Sequence, residues 1–238
     1  MRTAGKLGKL AAVRPHGLDD LAFYTRGHLA PPPPAVPVPA VPAWGMMGND
    51  TLGDCTIAGV GHLIVAANAE TGAQDVVPSD DDIKKQYFKI TGGQDSGAVE
   101  LDVLRAWYGK GLFGNNKIAA FAPVKPSNVL DIHAAVELFG SCYIGVALPG
   151  SAMQQFANGE PWAITGNDQI EGGHCVLIVG YDAQLLYCVS WGQIQAITWP
   201  WMSRFCDEAY AVISQEFVET HSVLDIDALR KDIGLLQS

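Results

Sequence analysis

The sequence predicts an α+β fold in which helices precede an antiparallel sheet. Apolar residues recur at helical spacing in several segments before residue 125, whereas short apolar runs typical of strands prevail between residues 126 and 215. The chain has 238 residues, of which 48% are hydrophobic and only 17% are charged, so it can bury a large core. These observations favour one large domain or two closely packed lobes.

The predicted elements follow that order along the chain. Helical patterns cover residues 55–69, 81–90, 99–108 and 129–139, and glycines follow the first three as stop signals. Asp54, directly before the first helix, is expected to cap it. Strand patterns cover residues 143–148, 174–180, 185–191, 196–199 and 209–214, and a short amphipathic helix is predicted at 226–236.

Residues 1–43 are predicted to form a basic, proline-rich arm ahead of a body that begins near Trp44. Five basic and two acidic residues give residues 1–30 a charge of +3, so the remainder carries −13 within the net charge of −10. Prolines at 31–34, 37, 39 and 42 enforce an extended, polyproline-like segment. We expect the body to fold without this arm, which could dock on an acidic surface of the body or of a protein partner.

Composition also narrows the classes of partner and compartment. An acidic body argues against nucleic acid, because phosphate binding needs clustered Lys and Arg. No apolar run approaches the ~20 residues of a membrane span, and no signal peptide is indicated. The five cysteines are odd in number and include no Cys-x-x-Cys pair, so neither a disulfide framework nor a zinc site is expected. A cytoplasmic location is the simplest assignment, with a virion as the open alternative.

Two local patterns supply the parts of an activated cysteine nucleophile. Residues 48–56 read GNDTLGDCT and lead straight into the first helix, which places Cys55 at a helix start. Residues 172–181 read GGHCVLIVGY, a short apolar strand that His174 is expected to open. A helix N-terminus and a nearby imidazolium both stabilise a thiolate, which is the reactive form of cysteine.

These patterns, in this order, resemble the papain-like cysteine peptidases, and most closely uncharacterised papain-like proteins of bacteria and phages. In that family a glutamine six residues before the cysteine supplies an oxyanion donor, and Asn49 holds that position here. An Asn-Ser-Trp-Gly segment follows the histidine strand in the family, and residues 189–192 read VSWG here. The resemblance covers roughly residues 44–215.

The resemblance implies a two-lobed fold with an active cleft between the lobes. The helical lobe would span about 44–125, with its central helix starting at Cys55, the sheet lobe about 126–215, and a helical tail 216–238. Cys55 would attack a peptide or isopeptide carbonyl, His174 would move the proton, and Asn49 would bind the oxyanion. Neither a metal nor an organic cofactor is needed for this chemistry.

The third member of the site differs from the family pattern. Val189 stands at the usual asparagine position, Thr56 replaces a tryptophan after the nucleophile, and Asp54 adds an adjacent carboxylate. Residues on a strand alternate in direction, so Val189 is expected to face His174 if Trp191 covers the ring in the cleft. A register slip by one residue would instead make Ser190 the partner of the ring.

Three functions therefore stay open. The first is a cysteine peptidase that acts on a peptide or protein substrate. The second is a papain-like module with little or no turnover and a structural or binding role, for instance in a phage particle. The third is another thiol acyl chemistry, such as cell-wall peptide amidase or transamidase activity.

Overall fold

The chain folds as a six-stranded antiparallel sheet with helices around it, in a computed structural model that describes residues 2–27, 30–72 and 76–236. The helices are α1 Cys55–Thr71, α2 Asp80–Ile90, α3 Glu100–Gly109, α4 Val129–Phe139, α5 Gly150–Asn158, α6 Trp199–Phe205, α7 Gln215–Thr220 and α8 Ile226–Leu235. The strands are β1 Ala120–Pro123, β2 Cys142–Pro149, β3 Ile170–Tyr181, β4 Leu185–Ser190, β5 Gln193–Thr198 and β6 Cys206–Ile213, in the spatial order β1-β6-β2-β3-β4-β5. A 3-10 turn covers Leu21–Tyr24.

Helix α1 lies directly against strand β3, and a glycine makes this close approach possible. A Cβ at Gly59 would stand 2.8 Å from the Tyr143 ring and 3.2 Å from Cys175 Sγ. The helix ends at Gly72, whose left-handed backbone lets its N–H bond to the Asn68 carbonyl at 3.0 Å. This packing sets the first turn of α1 beside the middle of the sheet.

Strand β3 is longer than the sequence predicts, and this corrects the position of His174. The strand starts at Ile170, so His174 lies inside it rather than at its start. Gly172 and Gly173 have poor strand propensity, which hid the first part of the strand. Their backbones nevertheless pair with Leu148 and Ala147 of β2, and His174 pairs with Val146.

Three other elements correct the sequence prediction. Strand β1 falls in the range expected to be the helical lobe, yet it pairs with β6 at the edge of the sheet. Helices α5 and α6 were not predicted, and α6 begins where a strand was expected to end. The predicted helix 129–139 is confirmed as α4, and α2 and α3 begin within one residue of their predicted starts.

The predicted arm contributes to the core of the body. Leu18, Leu21 and Tyr24 are buried, and the Tyr24 hydroxyl donates to Asp232 of α8 at 2.8 Å. Val36 and Tyr181 exchange backbone hydrogen bonds of 2.9 Å, which lays the proline-rich segment along the end of β3. Division of the chain near Trp44 stays a prediction, but side chains on both sides of it share one hydrophobic core.

Among the helices of residues 2–27, 30–72 and 76–236, none combines the length and the apolar character needed to cross a membrane.

Candidate active site

Cys55 is the first residue of α1 and is almost completely buried. The first N–H groups of a helix have no partner within the helix, so they favour negative charge at this position. Burial has the larger effect and raises the pKa of the Cys55 thiol to about 12, although the backbone N–H groups of Cys175 and Gly8 oppose the rise. In this state of the molecule the sulfur is a neutral thiol at neutral pH.

His174 is equally buried and is held on two sides. Its Nε2 lies 3.0 Å from Ser190 Oγ, and its ring stacks on Trp191 with centroids 4.5 Å apart and planes 21° from parallel. Its Nδ1 is buried and makes no hydrogen bond within the described part of the chain. Burial, with a smaller effect of His62, lowers the pKa of His174 to about 3, so the ring is neutral.

The expectation that Val189 faces His174 whenever Trp191 covers the ring is wrong. Strand alternation ends at Ser190, the last residue of β4, and Trp191 has a left-handed backbone with φ of 47°. Because the chain turns there, Ser190 and Trp191 both contact His174, while Val189 pairs with Leu177 in the sheet.

The Asn49 amide binds a carbonyl group of the chain itself. Its Nδ2 donates to the Lys6 carbonyl at 3.1 Å and to the Leu52 carbonyl at 3.0 Å. The indole N–H of Trp191 also reaches the Lys6 carbonyl, at 3.5 Å. The Lys6 oxygen thus lies where two side-chain donors converge, and the contribution of Trp191 was not foreseen from the sequence.

Asp54 is buried beside the nucleophile at the predicted N-cap position, where its main-chain carbonyl, and not its side chain, accepts from the helix. It precedes α1, but its side chain makes no cap hydrogen bond to the helix. Burial raises the pKa of Asp54 to about 7, and the Asn49 side chain partly opposes this rise. A carboxyl group at this position is therefore close to half protonated at neutral pH.

Residues 2–10, which we call the strap, cross the cleft in front of Cys55. The Lys9 N–H donates to the Gly173 carbonyl at 3.0 Å, and the Leu10 N–H donates to the Ala98 carbonyl at 3.0 Å. The Ala98 N–H donates back to the Gly8 carbonyl at 2.9 Å. The strap therefore pairs with both walls of the cleft through its main chain.

Close backbone contact fixes the strap over the site. A Cβ at Gly8 would lie 1.8 Å from the Gly53 carbonyl oxygen, so only glycine fits there. Arg2 anchors one end, where Nη1 donates to the Ile194 carbonyl at 3.1 Å and the guanidinium lies 5.6 Å from the Phe156 ring centre. No pattern in residues 1–30 except their positive charge pointed to this arrangement.

All five cysteines are free thiols. Across residues 2–27, 30–72 and 76–236, no three His, Cys, Asp or Glu side chains come together as a metal site requires.

Several solved cysteine proteases are similar to the chain. Xylellain, a cysteine protease from Xylella fastidiosa, gives a TM-score of 0.66 at 17% identity, over 90% of this chain and 98% of that chain. The Carica candamarcensis cysteine protease CMS1MS2, solved in complex with E-64, gives 0.53 at 15% identity, over 76% and 99%. The cysteine protease and lectin-like domains of Cwp84, a surface layer associated protein of Clostridium difficile, give 0.59 at 15% identity, over 88% and 56%.

No family model matches the sequence, and no curated protein does. Identities of 15–17% establish a shared fold and nothing finer. The predicted α+β class and the papain-like fold that the resemblance implied are nevertheless confirmed, because the similar structures cover most of this chain. The chain therefore has the fold of the papain-like cysteine proteases.

Proposed function

We propose that the protein is a cysteine peptidase whose cleft is closed by its own strap. The observation that carries this proposal is an extended peptide lying across Cys55, paired through its main chain with Gly173 and Ala98. A groove that holds one extended peptide by backbone hydrogen bonds is suited to hold others, because every peptide offers the same groups. A papain-like fold with free Cys55 and buried His174 supports the same conclusion.

The geometry supports acyl transfer to sulfur. His174 Nδ1, the nitrogen without a hydrogen bond, would take the thiol proton while Nε2–H donates to Ser190 Oγ. Cys55 Sγ would then bond to the substrate carbonyl carbon, and Asn49 Nδ2 and the Cys55 backbone N–H would stabilise the oxyanion. The histidine returns its proton to the leaving amine, and water hydrolyses the thioester to release the acid.

Displacement of the strap is part of the proposal. With the strap in place, burial holds the thiol and the imidazole neutral, because it raises the pKa of Cys55 and lowers the pKa of His174. Water that enters after the strap leaves would remove much of that burial. The helix start would then favour a thiolate at Cys55, and an imidazolium at His174 would stabilise it further.

The test compares the full chain with the Gly8→Ala variant. An added Cβ would collide with the Gly53 backbone and push the strap out of the cleft. We expect the variant, and not the parent, to bond E-64 rapidly at Cys55, with the site mapped by mass spectrometry, and to hydrolyse a denatured protein substrate. Gly234→Ala is the matched control, since nothing lies within 4 Å of that position.

His174→Ala in the Gly8→Ala background completes this test. It should abolish hydrolysis and the rapid reaction with E-64, while the chain still melts cooperatively. If an opened chain reacts with E-64 at Cys142, Cys175, Cys188 or Cys206 before Cys55, the assignment of the nucleophile is wrong.

A module without turnover is the second candidate, and one observation favours it. The cleft is filled, and the Lys6 carbonyl already takes the hydrogen bond of the Asn49 amide. This candidate predicts that opened Gly8→Ala protein alkylates Cys55 but hydrolyses no amide. Amidase or transamidase chemistry would pass through the same thioester, and added amines that capture the acyl group would reveal it.

A further inference from the structure

A buried acidic pocket at one side of the cleft holds the side chain of Lys9. The ammonium Nζ lies 2.9 Å from Asp207 Oδ1 and 3.1 Å from Glu208 Oε1. The Lys9 side chain is 1% exposed and that of Glu208 is 6% exposed, so solvent hardly screens this ion pair.

A third carboxyl group, that of Glu100, is buried close enough to Glu208 and Lys9 for their charges to act on it. Glu100 lies in the first turn of α3, is fully buried, and neither side-chain oxygen has a hydrogen-bond partner in the described part of the chain. Burial and the Glu208 charge raise its pKa, whereas the Lys9 charge lowers it. If Lys9 left, the ionised Glu208 would be buried without the cation that now lies 3.1 Å from it, which is unfavourable.

The shape of the pocket fits a long unbranched side chain. Strand β2 contributes Gly145 to its wall, where a Cβ would stand 1.9 Å from Lys9 Cε and 2.8 Å from Glu208 Cγ. The absent side chain leaves room for the methylene stem, and the carboxylates lie where the stem ends. The backbone of Lys9 is meanwhile held by Gly173, through a contact that any residue could make.

We propose that this pocket, formed by Gly145, Asp207 and Glu208, selects a lysine side chain of the substrate once the strap leaves. The inference rests on the proposed peptidase function and adds a substrate class to it. The strap is then a bound peptide whose Lys9 occupies the pocket that a substrate lysine would fill. Glu208 and Asp207 are specificity residues in this view, and they take no part in bond breaking.

The test measures how fast peptide vinyl sulfones modify Cys55 in the full chain. The two reagents of each pair have the same peptide except at one position, which holds lysine in one and norleucine in the other. Norleucine lacks the ammonium group. Successive pairs place this position at each residue of the peptide in turn. Two opened variants are used, Lys9→Met and Gly8→Ala, so that a folding defect in one leaves the other informative. Modification is followed by mass spectrometry and needs no turnover.

At one position only, we expect the lysine reagent to react at least about tenfold faster than the norleucine reagent, because charge-assisted hydrogen bonds form in the pocket. Glu208→Gln should remove most of this preference. Asp207→Asn should reduce it, and this partly exposed position gives a second, milder variant. The lysine preference should persist in high salt, because the pocket is buried. General attraction of lysine to the acidic body would instead favour lysine at every position and would weaken as salt is added.

The outcomes separate this inference from the proposed function. Equal rates for the two reagents, or no reaction of either in both opened variants, would overturn the pocket and leave it as an anchor for Lys9 alone. A lysine preference that Glu208→Gln and Asp207→Asn leave unchanged would overturn it as well. A preference in labelling without hydrolysis of the matching lysine amides would support the pocket while contradicting the peptidase.

Discussion

The amide of Asn49 donates hydrogen bonds to two carbonyl groups, so its removal is expected to affect hydrolysis and alkylation differently. We expect Asn49→Ala to slow hydrolysis by ~10²–10³, the usual effect of losing one oxyanion donor. Alkylation of Cys55 by iodoacetamide should continue, because no oxyanion forms in that reaction. Both rates are best measured in the Gly8→Ala background, where the strap no longer limits access; unchanged hydrolysis would mean that Asn49 only shapes the turn.

Asp54 makes the folding stability depend on pH in a defined direction. Its pKa is about 7 in the folded chain because of burial, against an ordinary value of 3.8. Between these values the native state keeps a proton that the unfolded state releases, and above pH 7 the native state must bury the charge. The destabilisation therefore grows as pH rises from about 4 and is complete above about 7.

Asp54→Asn should remove this dependence. Urea unfolding measures the difference in the free energy of unfolding between variant and parent. This difference should be about 2–3 kcal/mol larger in favour of the variant at pH 8 than at pH 5. Asp50→Asn, a change at an exposed neighbour, is the control and should shift stability little at either pH. Equal gains at both pH values would mean that Asp54 does not change its protonation between pH 5 and pH 8 in the folded chain.

Single residues differ in how far the sequence reveals them. Cys55, His174 and Asn49 stand in local patterns that a reader can recognise. Ser190 could be placed near His174 only as one of two registers, because the backbone turn at Trp191 depends on tertiary packing. The partners of Lys9 are separated from it by up to 199 residues, and no local pattern links them.

At the scale of elements, the contact between α1 and β3 brings the helix of Cys55 to the strand of His174. Gly59→Val should push the helix away from Tyr143 and Cys175, and overpacking of this kind costs about 1–3 kcal/mol. We expect a lower melting temperature and slower alkylation kinetics in the opened chain. Gly234→Ala should melt at or above the parent temperature, since a helical glycine is there replaced without a clash.

Elements with strong periodicity were predictable, and elements defined by tertiary contact were not. Helix α4 and the central strand β2 carry clear apolar patterns and lie close to their predicted positions. Strand β1 has only four residues, and pairing with β6 is what makes it a strand. Helix α6 combines tryptophans and a proline in seven residues, too few turns for periodicity to show.

For the whole molecule, the strap controls the chemistry of the thiol. In the parent, alkylation of Cys55 should rise only at high pH, because burial holds the thiol pKa at about 12. In Gly8→Ala the pKa should fall, so more thiolate is present at neutral pH and the rate at pH 7 should rise at least about a hundredfold. Rates of iodoacetamide modification from pH 5 to pH 10 test this, and an identical profile in both chains would contradict it.

The arrangement of the whole molecule was only partly predictable. Two lobes and a cleft follow from the order of helices and strands, together with the family resemblance. The prolines of the arm were expected to exclude it from a sheet interior, and docking on the body was one of two open possibilities. Residues 2–10, Tyr24 and Val36 dock through single side chains and backbone groups, and such contacts leave no periodic signal.

The strap also has a consequence for how the protein reaches its folded state. Its hydrogen bond from Lys9 to Asp207 joins residues 198 positions apart, and that from Arg2 to Gln195 joins residues 193 apart. Contacts of such long sequence separation form late, after the sheet that receives them exists. A refolding chain therefore passes through a period in which the groove is formed but the strap does not yet fill it. Peptides present at that moment compete with the strap on kinetic terms, and E-64 added during refolding should trap Cys55 in a chain that resists the same reagent once folded.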